Sequence, residues 1–182
     1  MRLTWIHKRC VMGWLLRSPG QCECIYAMGG RPLAMVNVLG GTEPEIREVI
    51  QGIKAGCQKF QVPMVGGHLH PGSMHKEISV AILGETKSIL SSFGAESGDD
   101  LIIALDLEGR LYRDYPNWDC TSQKSSSEVI RRLEEVRSIA QEGLAHAGKD
   151  ISNPGILGTT GMLLESSGVG AIVDLAKIPG SQ

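Results

Sequence analysis

A polar segment spaced by glycines lies near the C-terminal end of the chain, directly before an apolar stretch. It is Gly148-Lys149-Asp150-Ile151-Ser152-Asn153-Pro154-Gly155-Ile156-Leu157-Gly158. A loop of this kind at the start of a helix directs backbone N–H groups and the positive end of the helix dipole to one point, which favours phosphate. Asp150 can hold Mg²⁺, which prefers one or two carboxylates together with substrate oxygens. The alternative is a helix start capped by Ser152 or Asn153 without a ligand.

A second glycine-containing segment holds three of the five histidines. It is Gly66-Gly67-His68-Leu69-His70-Pro71-Gly72-Ser73-Met74-His75. Glycine N–H groups can reach phosphate oxygens, and a following histidine can donate a hydrogen bond. His68 and His70 could also bind a transition metal as a pair, but no acidic or cysteine ligand stands at a typical spacing from them. An ordinary tight turn at the Gly-Gly pair is the alternative that the residues leave open.

Hydrophobic periodicity predicts the elements that position the second segment. Residues 33–39 form an apolar run between Pro32 and a Gly-Gly pair, which is typical of a buried strand. Thr42 is suited to cap a helix that follows it. Strands are predicted at 62–65 and 76–85, with the 66–75 loop between them. The predicted core-facing stripe of the helix is Ile46, Val49, Ile50, Ile53, Cys57 and Phe60.

The second half of the chain shows a similar alternation. Residues 88–99 are rich in Ser and Gly and predict a connection, and 100–106 and 170–175 predict strands. Ser125 and Glu128 form a capping-box pattern that opens a helix ending at Gly148. Its charged residues, such as Arg132, are predicted to face solvent and to need no partner. Strands alternating with helices indicate an α/β (α+β) fold.

Two stretches resemble a known superfamily. Ile25-Tyr26-Ala27-Met28-Gly29-Gly30-Arg31-Pro32-Leu33-Ala34 and Val65-Gly66-Gly67-His68 are similar to motifs of aminoimidazole ribonucleotide (AIR) synthetase, selenophosphate synthetase, thiamine-monophosphate kinase and the hydrogenase-maturation dehydratase. The segment around Asp150 also resembles a motif of this superfamily, and the similarity is greatest to AIR synthase-related proteins. The superfamily carries Thr or Ser after the histidine, where this chain has Leu69.

The resemblance implies a two-domain AIR-synthetase-like fold that binds ATP and Mg²⁺. Its N-terminal domain would occupy 25–87 and its C-terminal domain 99–182, both partial, so that the chain is expected to be truncated at both ends. It also implies a homodimer formed through sheet edges, for which 33–39 and 76–85 would supply the strands, and a metal ligand at Asp150. The implied nucleotide contacts are Gly66, Gly67, His68, Lys149, Ser152, Asn153 and Gly155.

Composition excludes some partners. The formal net charge is −2 and aromatic residues make up 4% of the chain, so nothing favours binding to nucleic acid or to a membrane surface. No apolar run is long enough for a membrane span. Five cysteines are an odd number at low density, which predicts a reducing cytoplasm.

Residues 1–24 are atypical and show neither helical nor strand periodicity. Glu23-Cys24 stand where the superfamily has Asn-Asp. Loss of one adenine from an Asp codon would produce the codon for Cys24, and the shifted frame converts 12–16 into Trp-Ala-Gly-Tyr-Cys, which resembles the related proteins. The hypothesis is that 1–24 are out of frame. A flexible native N-terminus is the alternative, and DNA sequencing across codons 21 to 25 separates the two.

Two functions remain open from the sequence. The first is an ATP- and Mg²⁺-dependent enzyme that activates, or transfers a phosphoryl group to, an unknown small-molecule substrate. The second is a non-catalytic remnant or dimerising scaffold, because a Cys24 thiolate is a soft ligand and a poor replacement for a carboxylate on Mg²⁺.

Overall fold

A computed structural model describes residues 3–8, 20–111, 118–151 and 154–175 of the chain, with only the backbone described for 3–8 and 20–21. These residues form four helices and eight strands. In chain order they are β1 (Leu3–Lys8), α1 (Gly20–Ala27), β2 (Arg31–Gly41), α2 (Glu43–Phe60), β3 (Met64–Pro71), β4 (Glu77–Glu85), β5 (Asp100–Ala104), β6 (Arg110–Leu111), β7 (Trp118–Asp119), α3 (Ser126–Gln141), β8 (Ala145–Ile151) and α4 (Gly155–Ser167).

The strands form two three-stranded sheets and one short pair. The first sheet has the order β5-β1-β8, and both of its pairings are parallel. The second has the order β3-β2-β4, with β3 parallel and β4 antiparallel to β2. Strands β6 and β7 pair by themselves. Parallel strands connected through helices confirm the predicted α/β (α+β) class.

Helix α2 packs against the second sheet with most of its predicted apolar stripe, whereas Ile50 of that stripe is 40% exposed. Its buried side chains include Ile46, Val49, Ile53 and Phe60, which pack with Leu39 and Met35 of β2. Thr42 is the N-cap, and both its N–H and its hydroxyl donate to Glu45 Oε2, at 2.9 and 2.8 Å. These hydrogen bonds hold the pKa of Glu45 below its usual range. The capping box therefore marks the start of this helix in the local sequence.

One core joins helices from both halves of the chain. Cys22 and Tyr26 of α1 and Val129 and Leu133 of α3 are buried together with Met35 and the end of α2. At the end of α1 the chain turns at Gly29, whose φ is +76°. An added Cβ at Gly29 would lie 2.4 Å from Ala140 Cβ, so no larger residue fits between α1 and α3. The α1–α3 contact is therefore one that only glycine permits.

Four expectations about the elements are wrong. Helix α3 ends at Gln141 rather than at Gly148, because Gly143 takes a φ of +65° and the chain then enters β8. Residues 66–71 and 148–151 belong to strands, not to loops. Residues 169–174 are irregular rather than a strand, and part of the atypical N-terminal segment is regular, as β1 and the start of α1.

Arg132 of α3 has ionic partners, contrary to the expectation of a purely solvated face. It contacts Asp106, Glu108 and Glu128. Lys124 Nζ lies 3.1 Å from Asp106 Oδ2. Burial of the Asp106 carboxyl favours its neutral form, but the hydrogen bond from Lys124 and the charge of Arg132 outweigh burial, so the pKa of Asp106 lies below its usual range. This network fixes the segment after β5 to the start of α3.

We expect Asp106→Asn to lower the free energy of unfolding by about 1.5–3 kcal/mol at pH 7, because it removes a charged hydrogen-bond acceptor from a partly buried network. A carboxyl whose folded pKa is lowered stabilises the fold above its unfolded pKa of about 3.9. The deficit of the variant should therefore shrink as pH falls below about 4, measured by urea unfolding at several pH values. Glu108→Gln is the control, because the Glu108 side chain is 73% exposed and its loss should cost less than about 1 kcal/mol. Equal losses in both variants would contradict this account of Asp106.

Candidate functional site

Asp150 lies near the carboxyl end of β8, an edge strand of the parallel sheet. The register pairs it with His7 of β1, one residue before β1 ends at Lys8. In open parallel sheets, ligands bind beyond the carboxyl ends of the strands. Helix α4 begins at Gly155, four residues after β8 ends at Ile151. The fold therefore places a carboxylate and a helix N-terminus at the edge of the sheet where ligands bind in this architecture.

The Cys24 thiol contacts the Asp150 carboxylate. Cys24 Sγ lies 4.0 Å from Asp150 Oδ2, with the thiol as donor. Cys24 comes from the middle of α1, which packs beside β8 because Gly148 has no side chain: an added Cβ there would lie 2.5 Å from Leu90 Cδ2 and 3.4 Å from the Ala27 carbonyl oxygen. The sequence singled out Cys24 only as the place of an Asp in related proteins, and did not predict this contact.

Cys22, two residues before Cys24 in α1, takes no part in this chemistry. It is fully buried, and burial, with a contribution from the neighbouring Glu23 carboxylate, raises the pKa of its thiol to about 12. Cys22 is therefore protonated at neutral pH and unsuited to act as a nucleophile or a metal ligand. Cys22, Cys24 and Cys57 are free thiols.

The neighbours of Asp150 in the predicted site differ in position. Successive side chains in a strand point to opposite faces, and Ala147 and Ile151 pack against Leu163 of α4. Lys149 therefore lies on the face of β8 that α4 covers, while Asp150 lies on the face that α1 covers. Lys149 and Asp150 do not project into one site from the strand.

The start of α4 is only partly described. Ser152 and Asn153 lie outside the described residues. The N-cap position is Pro154, which makes no side-chain capping hydrogen bond, and Gly155 has a φ of +74° with no atom within 4 Å of an added Cβ. The alternative of a helix start capped by Ser152 or Asn153 therefore stays a prediction.

The second predicted segment lies in the other sheet. Gly66, Gly67 and His68 are part of β3, whose residues after Met64 are exposed. An added Cβ at Gly67 would lie 1.8 Å from Asn37 Oδ1 and 2.6 Å from the Asn37 carbonyl oxygen. At Gly66 the nearest atom, Val36 Cγ1, is 4.0 Å away. Gly67 is therefore required by strand packing, whereas nothing in the described protein requires glycine at 66.

Metal-binding capacity is limited in the part of the chain that the structure describes. Within it, no group of three or more His, Cys, Asp or Glu side chains is arranged to hold a metal ion. Asp150 is the carboxylate at the candidate site, and Cys24 is a soft thiol beside it. Mg²⁺ could bind Asp150 with substrate oxygens and water completing its shell, but Cys24 would contribute little. No described helix is long and apolar enough to cross a membrane.

Comparisons with known proteins identify the class. The chain superposes on PurL of Thermotoga maritima in complex with AMPPCP with a TM-score of 0.65, at 22% identity, over 91% of this chain and 28% of that chain. The fold is therefore that of the AIR-synthetase-like α/β proteins. Sequence models of the AIR synthase related proteins match it twice, with the N-terminal domain at residues 21–86 and the C-terminal domain at 102–182. The chain belongs to the AIR synthase related family.

Two curated relatives show how much of such a protein the chain represents. It is 47% identical over 162 residues to an uncharacterised protein of Methanocaldococcus jannaschii, covering 87% of this chain and 50% of that protein. It is 25% identical over 171 residues to selenide, water dikinase of Colwellia psychrerythraea, covering 85% of this chain and 48% of that enzyme. The chain thus spans about half the length of the curated relatives it matches.

Gly67→Ala and Gly66→Ala should differ in stability. We expect Gly67→Ala to lower the free energy of unfolding by about 1–3 kcal/mol, because the new methyl group overlaps Asn37 and must displace β2 or β3. Gly66→Ala should change it by less than about 1 kcal/mol, since the position is open. Thermal or urea unfolding of the two variants measures this, and a larger loss for Gly66→Ala would show that the β2–β3 register differs from the one described.

Proposed function

We propose that the intact protein binds ATP with Mg²⁺ and uses it to activate or phosphorylate a small-molecule substrate. The observation that carries the proposal is the position of Asp150. It lies near the carboxyl end of the parallel strand β8, five residues before helix α4 begins at Gly155. A carboxylate there can hold a cation, and the first N–H groups of a helix can bind phosphate oxygens.

The relatives support the same chemistry. The PurL structures that share this fold contain ATP or AMPPCP, and the relative from Colwellia psychrerythraea is named a dikinase. A bound Mg²⁺ would withdraw charge from the transferred phosphoryl group. In this chain, Asp150 would hold the cation, and the segment 152–155 would bind phosphate oxygens. The proposed substrate is a small molecule.

Strand β3 is a second proposed nucleotide contact. Because Gly66 has space above it that the described protein does not fill, a ligand could approach its backbone closely. His68 is exposed on the same strand and can donate a hydrogen bond. Lys149 lies on the face of β8 that α4 covers, so its proposed contact requires the nucleotide to reach that face. A cytoplasmic location likewise remains a prediction.

A second candidate function is a scaffold that no longer turns over ATP. The observation that favours it is the Cys24 thiol, 4.0 Å from Asp150 Oδ2, at the position where related sequences carry a carboxylate. Thiol and carboxylate together form a poor pair for a hard cation. If Cys24 is the native residue, Mg²⁺ binding should be weak. A carboxylate at position 24 should restore Mg²⁺ binding if the protein is an ATP-dependent enzyme, but not if it is a scaffold.

Paired variants at positions 24 and 150 test the proposed function. We expect Cys24→Asp to tighten Mg²⁺-dependent ATP binding by at least tenfold, about 1.4 kcal/mol, because a second carboxylate joins Asp150. Asp150→Asn should weaken it by a similar factor, with little change in melting temperature. Calorimetric titration of ATP with and without Mg²⁺ measures both effects.

Three results would separate the candidates. A gain in Cys24→Asp that disappears when Asp150→Asn is added supports one shared cation site. If ATP binding is unchanged in both Cys24→Asp and Asp150→Asn, there is no cation site at the end of β8, and the scaffold function is favoured. A lowered melting temperature of Asp150→Asn with unaltered nucleotide binding would make Asp150 a structural residue.

We also propose that the protein is a homodimer formed through β4. The sheet order makes β3 and β4 the edges of the second sheet and β2 its centre, so 33–39 cannot supply an edge. Between Glu77 and Glu85, β4 carries no charged residue, and Leu83 is 64% exposed. Soluble proteins usually protect an edge of this kind with charge, proline or a covering element. A second copy that adds its own β4 would satisfy the unpaired backbone groups.

Leu83→Lys should convert the dimer to a monomer, because a charge on the edge strand disfavours sheet pairing. Sedimentation velocity at micromolar concentration measures the change. Leu157→Lys is the matched control, since Leu157 is similarly exposed but lies on α4, and should stay dimeric. A monomeric parent chain, or equal dissociation of both variants, would contradict the β4 interface.

A further inference from the structure

Two histidines stand side by side on β3. The register with β2 pairs His68 with Val38 and His70 with Gly40, so both imidazoles lie on the same face of the sheet. Their ring centroids are 4.7 Å apart, with an interplanar angle of 72°. Both residues are exposed, and β3 is an edge strand. The strand therefore presents two imidazole rings to solvent next to each other.

The backbone holds this pair in place. Strand β3 is hydrogen-bonded to β2 through the register that runs to Pro71, which pairs with Gly41. Directly after the strand, the Gly72 N–H donates to the Gly41 carbonyl oxygen at 2.9 Å. Because the strand is anchored on both sides of His70, bringing the two rings to one ion requires side-chain rotation only. Such preorganisation lowers the entropic cost of binding.

The imidazole nitrogen of histidine binds some metal cations in preference to others. It is a common ligand of Zn²⁺, Ni²⁺ and Cu²⁺, whereas Mg²⁺ takes oxygen ligands. Two imidazoles supply part of a coordination shell, and the exposure of the strand leaves the remaining positions to water.

We propose that His68 and His70 form a surface binding site for a divalent transition metal such as Ni²⁺ or Zn²⁺, separate from the carboxylate at Asp150. The site takes one metal ion per chain, with water completing the shell. It does not depend on the proposed ATP binding, because neither ring needs a nucleotide to act as a ligand. His75 lies three residues after the turn at Gly72 and is not part of the pair.

Calorimetric titration of Ni²⁺ into the full chain, without nucleotide and with excess Mg²⁺ present, tests the site. We expect one ion per chain in the parent, and at least tenfold weaker binding in His70→Ala and in His68→Ala, because each variant leaves a single imidazole. His75→Ala is the matched control and should bind as the parent does. Asp150→Asn should also bind as the parent does, which separates this site from the proposed cation site at Asp150.

Three outcomes would overturn the proposal. These are no Ni²⁺ binding by the parent in the presence of Mg²⁺, an equal loss in His75→Ala and His70→Ala, and a loss in Asp150→Asn. Melting curves of the histidine variants show whether each is folded. Since His68 and His70 are two independent replacements on an exposed strand, retained binding in either folded variant is sufficient to reject a paired site.

Discussion

The close packing of α1 against its neighbours is the constraint on which the candidate site depends. Two positions without side chains permit it. Gly29 lies against Ala140 of α3, and Gly148 lies against Leu90 and the Ala27 carbonyl oxygen. Hydrogen bonds from Leu90 N–H to the Met28 carbonyl and from Gly148 N–H to the Ser91 carbonyl hold the connecting segment between helix and strand. Because α1 is held this close to β8, its Cys24 reaches Asp150.

Local patterns predicted the elements that have one buried face. The apolar stripe of α2 is predicted correctly except at the exposed Ile50, because burial on one face imposes the helical period on the sequence. Strands β3 and β8 were missed as loops over 66–71 and 148–151. Their glycines and polar residues carry no strand signal, and their pairing with β2 and β1 specifies them instead. Pairing between distant segments cannot be read from a local window.

The candidate site was predicted in part. Asp150 was identified from its surroundings in the sequence, and its place near the end of a parallel strand agrees with a ligand-binding role. Lys149 and Asp150 lie on opposite faces of β8, because side chains alternate along a strand. The sequence could not show this, since 148–151 is predicted as a loop. The hypothesis that 1–24 are out of frame stays a prediction.

The central claim is that a cation bound with ATP lies between positions 24 and 150. Anomalous diffraction from crystals of the Cys24→Asp variant grown with AMPPCP and Mn²⁺, a carboxylate-binding substitute for Mg²⁺, tests it most directly. The account predicts an anomalous peak in coordination contact with the carboxylates of residues 24 and 150, with nucleotide phosphates at the start of α4. Nucleotide and Mn²⁺ bound together away from Asp150 would contradict it.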